Sequence, residues 1–366
     1  MECQAWNRIL QVFLIFVVFL FDDATSNIDG RVIFEKNDLG KVDELGFKEL
    51  LKDLEIKPLQ LVEDRSWKSP QNVGQISGVS VDLSGNPVIF HRGDRVWGDD
   101  TFSDDNVYQE EYKGPIAVNT VLTLDQKTGD VINGWGNHTF YLPHGMHIDG
   151  FGNVWLTDIA LHQVFKYDSS GVLRLVLGQR FEPGNDNWHF CQPTSVAVAP
   201  TGEFVVADGY CNRRIILFNS MGYPLYAIDD HWGVHMNIPH SVTILSDGKV
   251  CVADRENERI LCMNVGLPVT VPASSMFSIP LLGRVFAVAS YRDYIYAVNG
   301  VTLRNRYTIG FTINPNSQSV VDFWSPEYDS FRNPHDIGIC PNGTALYVAE
   351  IGPNRVWKFN SMYIEN

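Results

Sequence analysis

PHGMHIDGFGNVWLTD (143–158), PHSVTILSDGKVCVAD (239–254) and PHDIGICPNGTALYVAE (334–350) are three copies of one pattern. Each opens on a Pro-His pair and alternates apolar residues around a Gly/Asn/Asp turn. Each ends on an acidic residue, 15, 15 and 16 positions beyond its proline (Asp158, Asp254, Glu350). A fourth copy, QPTSVAVAPTGEFVVAD (192–208), runs the same 15 positions from Pro193 to Asp208 but carries Thr194 in place of histidine. Ser195-Val196-Ala197-Val198-Ala199, a turn at Pro200-Thr201-Gly202 and Phe204-Val205-Val206-Ala207 read as a β-hairpin. Arg214-Ile215-Ile216-Leu217-Phe218 continues as a third strand.

The prolines are spaced by 50, 46 and 95 residues, the last interval holding two units. A degenerate unit with Val285–Ala289 and Tyr294–Asn299 fills that interval. Another precedes the first Pro-His pair, with Ile76–Asp82, a turn at Ser84-Gly85-Asn86 and Val88–Arg92. Six units of this period predict an all-β, six-bladed β-propeller with a central channel, and their regularity argues against a tandem of β-sandwiches. The propeller is expected over 67–362, with a short tail at 363–366. Residues 25–66 are expected to form a partly helical segment outside it, because Val42, Leu45, Phe47, Leu50, Leu51 and Leu54 have helical spacing.

Repeats put equivalent residues at equivalent points around an axis. His144, His240 and His335 can therefore meet there, and three imidazoles with one open position form a catalytic zinc arrangement. The alternative is that each is an ordinary turn residue beside a proline. Other histidines fit a site less well. His91 is expected to point away from Arg92 along its strand, His162 to hydrogen-bond between blades, and His147 to lie on the surface.

Arg8 followed by a 13-residue apolar run, Ile9–Phe21, predicts a signal peptide over 1–24. No later segment approaches a membrane span, so a secreted chain, or one in the lumen of secretory granules, is expected. Removing Arg8 with Glu2, Asp22 and Asp23 changes the net charge from −15 to −13. That balance disfavours nucleic acid as a partner. Secretion permits disulfides. Cys191 with Cys211, and Cys251 with Cys262, fall within single blades and are expected to pair, leaving Cys340 as a buried thiol. Asn137-His138-Thr139 and Asn342-Gly343-Thr344 are glycosylation sequons.

FHRGDRVW (90–97), YLPHGMHID (141–149), TDIALHQVFK (157–166), HFCQPTSVAV (189–198), ADGYCNRRI (207–215) and VADRENERI (252–260), with PHSV (239–242) and PHDI (334–337), carry a resemblance. Together they resemble peptidyl-α-hydroxyglycine α-amidating lyase, over about residues 66–360. The resemblance implies NHL-like repeats, zinc on His144, His240 and His335, and a structural calcium on the carbonyls of Val79 and Met146 and the carboxylate of Asp336. It implies a catalytic tyrosine at Tyr210 and active-site arginines at Arg92 and Arg255. Asn333 stands where that family often has methionine, which makes it a candidate substrate contact. The implied substrate is a peptide ending in α-hydroxyglycine, made by a separate peptidylglycine monooxygenase, so a stand-alone lyase is expected.

That chemistry needs a base, a Lewis acid and a carboxylate anchor. Zinc lowers the pKa of a bound hydroxyl, and a cation beside a tyrosine lowers the phenol's ordinary value of about 10. Arg92 is expected to pair with Tyr210, and an arginine can hold the substrate carboxylate by two parallel bonds. Two rival readings stand. One is a non-catalytic extracellular propeller that binds peptides or proteins, which would need no tri-histidine centre. The other is a propeller hydrolase, whose calcium would call for Asp, Glu and Asn ligands rather than imidazoles.

Overall fold

The computed structural model describes residues 57–267, 276–302 and 307–362. The signal segment expected over 1–24, the helix expected around 42–54 and the tail 363–366 lie outside the described residues. The described strands form six sheets of four antiparallel strands each. We number the blades by their innermost strands: Ile76–Val81, Pro143–Ile148, Pro193–Val198, Pro239–Ile244, Arg284–Tyr291 and Pro334–Ile339. Each innermost strand contacts the next, and the sixth contacts the first, so the ring is closed. This is the predicted six-bladed β-propeller, and the four regular and two degenerate units are its blades.

The alternation in the sequence explains the packing. On the strand Phe204–Asp208 every residue is buried. Phe204 and Val206 pack against blade 2, with Trp155 and Val164. Val205 and Ala207 pack against blade 4, with Val242, Val250 and Val252. Successive side chains leave opposite faces of a strand, so a middle blade with apolar residues on both faces is stable only between two neighbours. Six apolar clusters result, one between each pair of adjacent blades.

The sixth blade corrects the expected domain boundary. Its outermost strand is Gln60–Glu63, which pairs with Arg355–Met362. The ring is thus closed by residues assigned to the segment outside the propeller. Four residues with no apolar alternation carry no strand signal of their own, and their partner lies almost at the other end of the chain. Leu59, just before this strand, is 3% exposed in the cluster between blades 5 and 6. Its N–H donates to the Tyr296 hydroxyl at 2.7 Å.

Both expected disulfides are present, and Cys340 is a buried free thiol. Cys251 and Cys262 face each other across neighbouring strands of blade 4. Cys191–Cys211 ties the entry of blade 3 to the loop after its second strand. Because Leu59 is a core residue, Leu59→Ala should destabilise the propeller by about 2–4 kcal/mol. Denaturant unfolding measures this, and an unchanged midpoint would mean that the closing segment does not contribute to stability.

Candidate metal centre and active site

In every blade the pairing register between the first two strands shifts near the start of the innermost strand, after its first residue in five blades and after its second, Val285, in blade 5. A bulge of this kind re-aims a side chain and twists the strand locally. The residues at the shifted position are Ser77, His144, Thr194, His240, Phe286 and His335, in ring order. The histidines therefore come from alternate blades, which gives the site a pseudo-threefold arrangement.

Their ring centroids are 4.9, 4.9 and 4.8 Å apart, and one ligand atom from each lies within 4.8 Å of the others. Each Nδ1 points to the carbonyl at the same position of the next blade: His144 to Thr194 (2.8 Å), His240 to Phe286 (2.6 Å) and His335 to Ser77 (2.7 Å). A carbonyl only accepts, so each Nδ1 carries the hydrogen and each Nε2 keeps a free lone pair. This is the partner arrangement that orients metal-binding imidazoles. Burial holds all three rings below their ordinary pKa, with the other histidines and the nearby arginines adding to the effect; His335 falls to about 3. Three neutral imidazoles with converging lone pairs fit a metal ion. The approach of blades 2 and 3 depends on Gly145, because a Cβ there would lie 2.2 Å from the Thr194 carbonyl.

The acidic residue that ends each repeat fixes the entry to the innermost strand of its own blade. Asp158, Asp208, Asp254 and Glu350 are each 0% exposed. Each accepts the N–H of the residue two positions before its strand: Tyr141 (2.7 Å), Cys191 (2.8 Å), Asn237 (2.7 Å) and Arg332 (2.5 Å). His91 takes this place in blade 1, where its Nδ1 accepts from Gly74 at 3.3 Å. Its turn away from Arg92 is thus explained. Asn299 occupies the same register position in blade 5. The sequence shows these residues as repeat ends but not as locks on the Pro-His segment.

Arg92 and Arg255 follow the second strands of opposite blades, 1 and 4, and are equivalent. The N–H of Arg92 donates to Gln75 and that of Arg255 to Ile238, each just ahead of its blade's first strand. Tyr210 lies two residues beyond Asp208, and its hydroxyl is 3.0 Å from Nε2 of both His144 and His240. The guanidinium carbon of Arg255 is 5.4 Å from the Tyr210 ring centre and 5.0 Å from that of Phe286. Trp97 meets Tyr210 edge-on at 4.7 Å. Arg92 acts on Tyr210 as expected, and Arg255 acts on it more strongly. The arginines lower the phenol as expected, but burial is the larger effect. Burial raises the Tyr210 pKa, and Arg255 and Arg92 only oppose it.

Arg92 is 2% exposed, with Nε donating to the Pro143 carbonyl (2.9 Å) and a terminal nitrogen to Gln75 (3.0 Å). Neither site arginine uses the aspartate beside it. Asp94 pairs with Arg95 and Asp254 with Arg259. The three histidines line a cavity of about 10 Å³ together with Ser77, Ser195, Ser241 and Asp336. The Asp336 carboxyl accepts from the N–H groups of Val79 (2.8 Å) and Ile337 (2.9 Å), has no cationic partner among the described residues, and is pushed by burial up to about 8. A secluded carboxylate without a counter-charge fits a cation.

Residues 190–218 and 236–263, in blades 3 and 4, match the family model of the NHL repeat. The chain is 45% identical over 311 residues to peptidyl-alpha-hydroxyglycine alpha-amidating lyase 2 of Drosophila melanogaster, covering 82% of this chain and 75% of the fly protein. The chain belongs to the peptidyl-α-hydroxyglycine α-amidating lyase family. This lyase is also 41% identical over 326 residues to peptidyl-glycine alpha-amidating monooxygenase B of Xenopus laevis, covering 84% of the lyase but 36% of that longer protein. Among solved structures, a chain of a nidogen/laminin complex matches with a TM-score of 0.50 at 17% identity, over 69% of this chain and 80% of that one. At that identity it shows the fold alone.

The remaining sequence candidates separate around the lyase. His162 is fully buried and accepts the Gln192 N–H at 3.0 Å, between blades 2 and 3 as expected. His147 is partly exposed, but its Nε2 is buried without a hydrogen-bond partner among the described residues, and burial holds its pKa down to about 4. Asn333 is exposed and donates to the Gly352 carbonyl at 2.8 Å; no hydrogen bond or ring contact joins it to the histidines. Asn137 and Asn342 are exposed. Trp97 and Phe286 were missed as site residues. The repeat register could have found Phe286, which occupies the histidine position of its blade. His240→Ala should lose the bound metal while keeping the β-rich circular dichroism of the ring. Metal analysis of the purified variant checks this, and stoichiometric metal would remove the three-histidine centre.

Proposed function

We propose that this chain cleaves the N–C bond of peptides ending in α-hydroxyglycine, giving a peptide amide and glyoxylate, with zinc held by His144, His240 and His335. The observation that carries the reading is the convergence of three Nε2 lone pairs beneath the Tyr210 hydroxyl. Zinc bound there would polarise the substrate hydroxyl and ease loss of its proton. Tyr210 is the group placed to accept that proton and return it to the amide nitrogen. The O–H electron pair becomes the second bond of the glyoxylate carbonyl, and the C–N pair leaves on nitrogen.

The two arginines divide the remaining work. Glu256 holds Nε of Arg255 at 2.9 Å, and the side chain also hydrogen-bonds to Tyr210, which places the guanidinium beside the reacting group. Arg255 therefore grips the substrate carboxylate. Arg92, already committed to Pro143 and Gln75, acts as a fixed charge. Because burial holds the phenol up, the arginines alone do not make Tyr210 a base at neutral pH; a cation on the histidines acts in the same direction as they do. Calcium is assigned to the Asp336 carboxylate and the carbonyls of Val79 and Met146, tying blades 6, 1 and 2 together. The two disulfides support a secreted or granule-lumen chain, glycosylated at Asn137 and Asn342 and supplied by a peptidylglycine monooxygenase. No described helix is long and apolar enough to cross a membrane.

Tyr210→Phe should slow the chemical step by about 10²–10⁴-fold with metal content and melting temperature unchanged. Single-turnover glyoxylate release measures it, and wild-type turnover across pH would reduce Tyr210 to a packing residue. Chelation followed by calcium return should lower and then restore the melting temperature of the wild type. Asp336→Ala should abolish the calcium response. Equal calcium responses in the two proteins would refute the assignment.

A further inference from the structure

The ring of bulged positions is threefold only in its histidines. The intervening residues are Ser77, Thr194 and Phe286, and two of them are small. Ser77 and Thr194 are each 1% exposed, and the Thr194 hydroxyl is taken up by the Pro239 carbonyl at 2.8 Å. Phe286 is half-buried, and its ring stands beside the cluster, 5.2 Å from the His240 ring and 5.9 Å from that of His335. Arg255 also lies over this ring, with its guanidinium carbon 5.0 Å from the ring centre.

We propose that Phe286 is the specificity-determining residue that restricts this site to substrates with no side chain on the hydroxylated carbon. The inference rests on the lyase reading above. A substrate with its hydroxyl at the histidines and its carboxylate at Arg255 spans the Phe286 ring. The carbon bearing both groups is one bond from each and lies against that ring. A hydrogen on that carbon fits there, whereas a methyl group must displace the ring. The ring cannot retreat, because it already fills the recess left by a missing side chain: a Cβ built on Gly300 would lie 2.4 Å from its Cε2. Close packing gives such a wall its selectivity.

The test compares an N-acyl-α-hydroxyglycine with the matching N-acyl-α-hydroxyalanine. The same bond cleavage releases glyoxylate from the first and pyruvate from the second, with one amide from either and no further reactant. The wild type should favour the hydroxyglycine compound in kcat/KM by about 100-fold or more, and Phe286→Ala should narrow that ratio by about tenfold or more, as expected for one methyl group in a shaped pocket. Phe286→Leu should fall between, and it answers the question if the alanine variant does not fold. Gly300→Ala, which pushes the ring toward the histidines, should raise KM for both compounds. An unchanged ratio in the Phe286 variants overturns the proposal, whether or not their overall rate falls. A wild type that releases no glyoxylate overturns the lyase reading, and this inference with it.

Discussion

Closure of the ring is the constraint on which the rest of the structure depends. The blades carry apolar residues on both faces, as in Phe204–Asp208, where alternate residues feed two different clusters. An open row of six would leave two such faces in water. The chain avoids this by pairing Gln60–Glu63 with Arg355–Met362, so its two ends meet in one sheet. Once the ring is closed, the innermost strands surround an axis, and whatever their bulges present faces a common point. The histidine cluster is a consequence of closure, because each histidine bonds to the carbonyl of the next blade and His335 finds its carbonyl on blade 1.

The site uses the pseudo-symmetry and then departs from it. The carboxylates ending four repeats hold the entry to the Pro-His or Pro-Thr segment in the same way, with His91 substituting in blade 1. Arg92 and Arg255 are equivalent residues of opposite blades. Their environments differ, and so do their proposed roles. Arg92 is buried and spent on protein acceptors, whereas Arg255 lies against two aromatic rings, with Nε held by Glu256 and the side chain bonded to Tyr210. Tyr210, Trp97 and the Phe286 ring, which stands at a histidine-equivalent position, make the site asymmetric.

Desolvation sets the charge state of the centre. It keeps the three imidazoles neutral, which suits them to bind a metal, and raises the Tyr210 phenol and the Asp336 carboxyl. Each of these groups is in a state that a nearby cation would improve, since a cation stabilises tyrosinate and carboxylate and takes up imidazole lone pairs. That common preference connects the histidine cluster with Asp336, which lines the same cavity.

The sequence by itself determined the six repeats, their strands, the disulfide partners and the residues Tyr210, Arg92, Arg255 and the three histidines. Period, alternation and the Pro-His pairs are local properties, and the quoted segments carried the resemblance. The tertiary structure alone decided what depends on contacts between distant residues. Gln60–Glu63 has no pattern to mark it as a strand, because a short edge strand is specified by its partner. Trp97 approaches Tyr210 from another blade, and the Phe286 ring is positioned by the space at Gly300. His147 reads as a surface residue, and only the fold shows that its Nε2 is buried. The balance at Tyr210 followed the same rule: the arginines are visible in the chain, but the burial that outweighs them exists only in the folded ring.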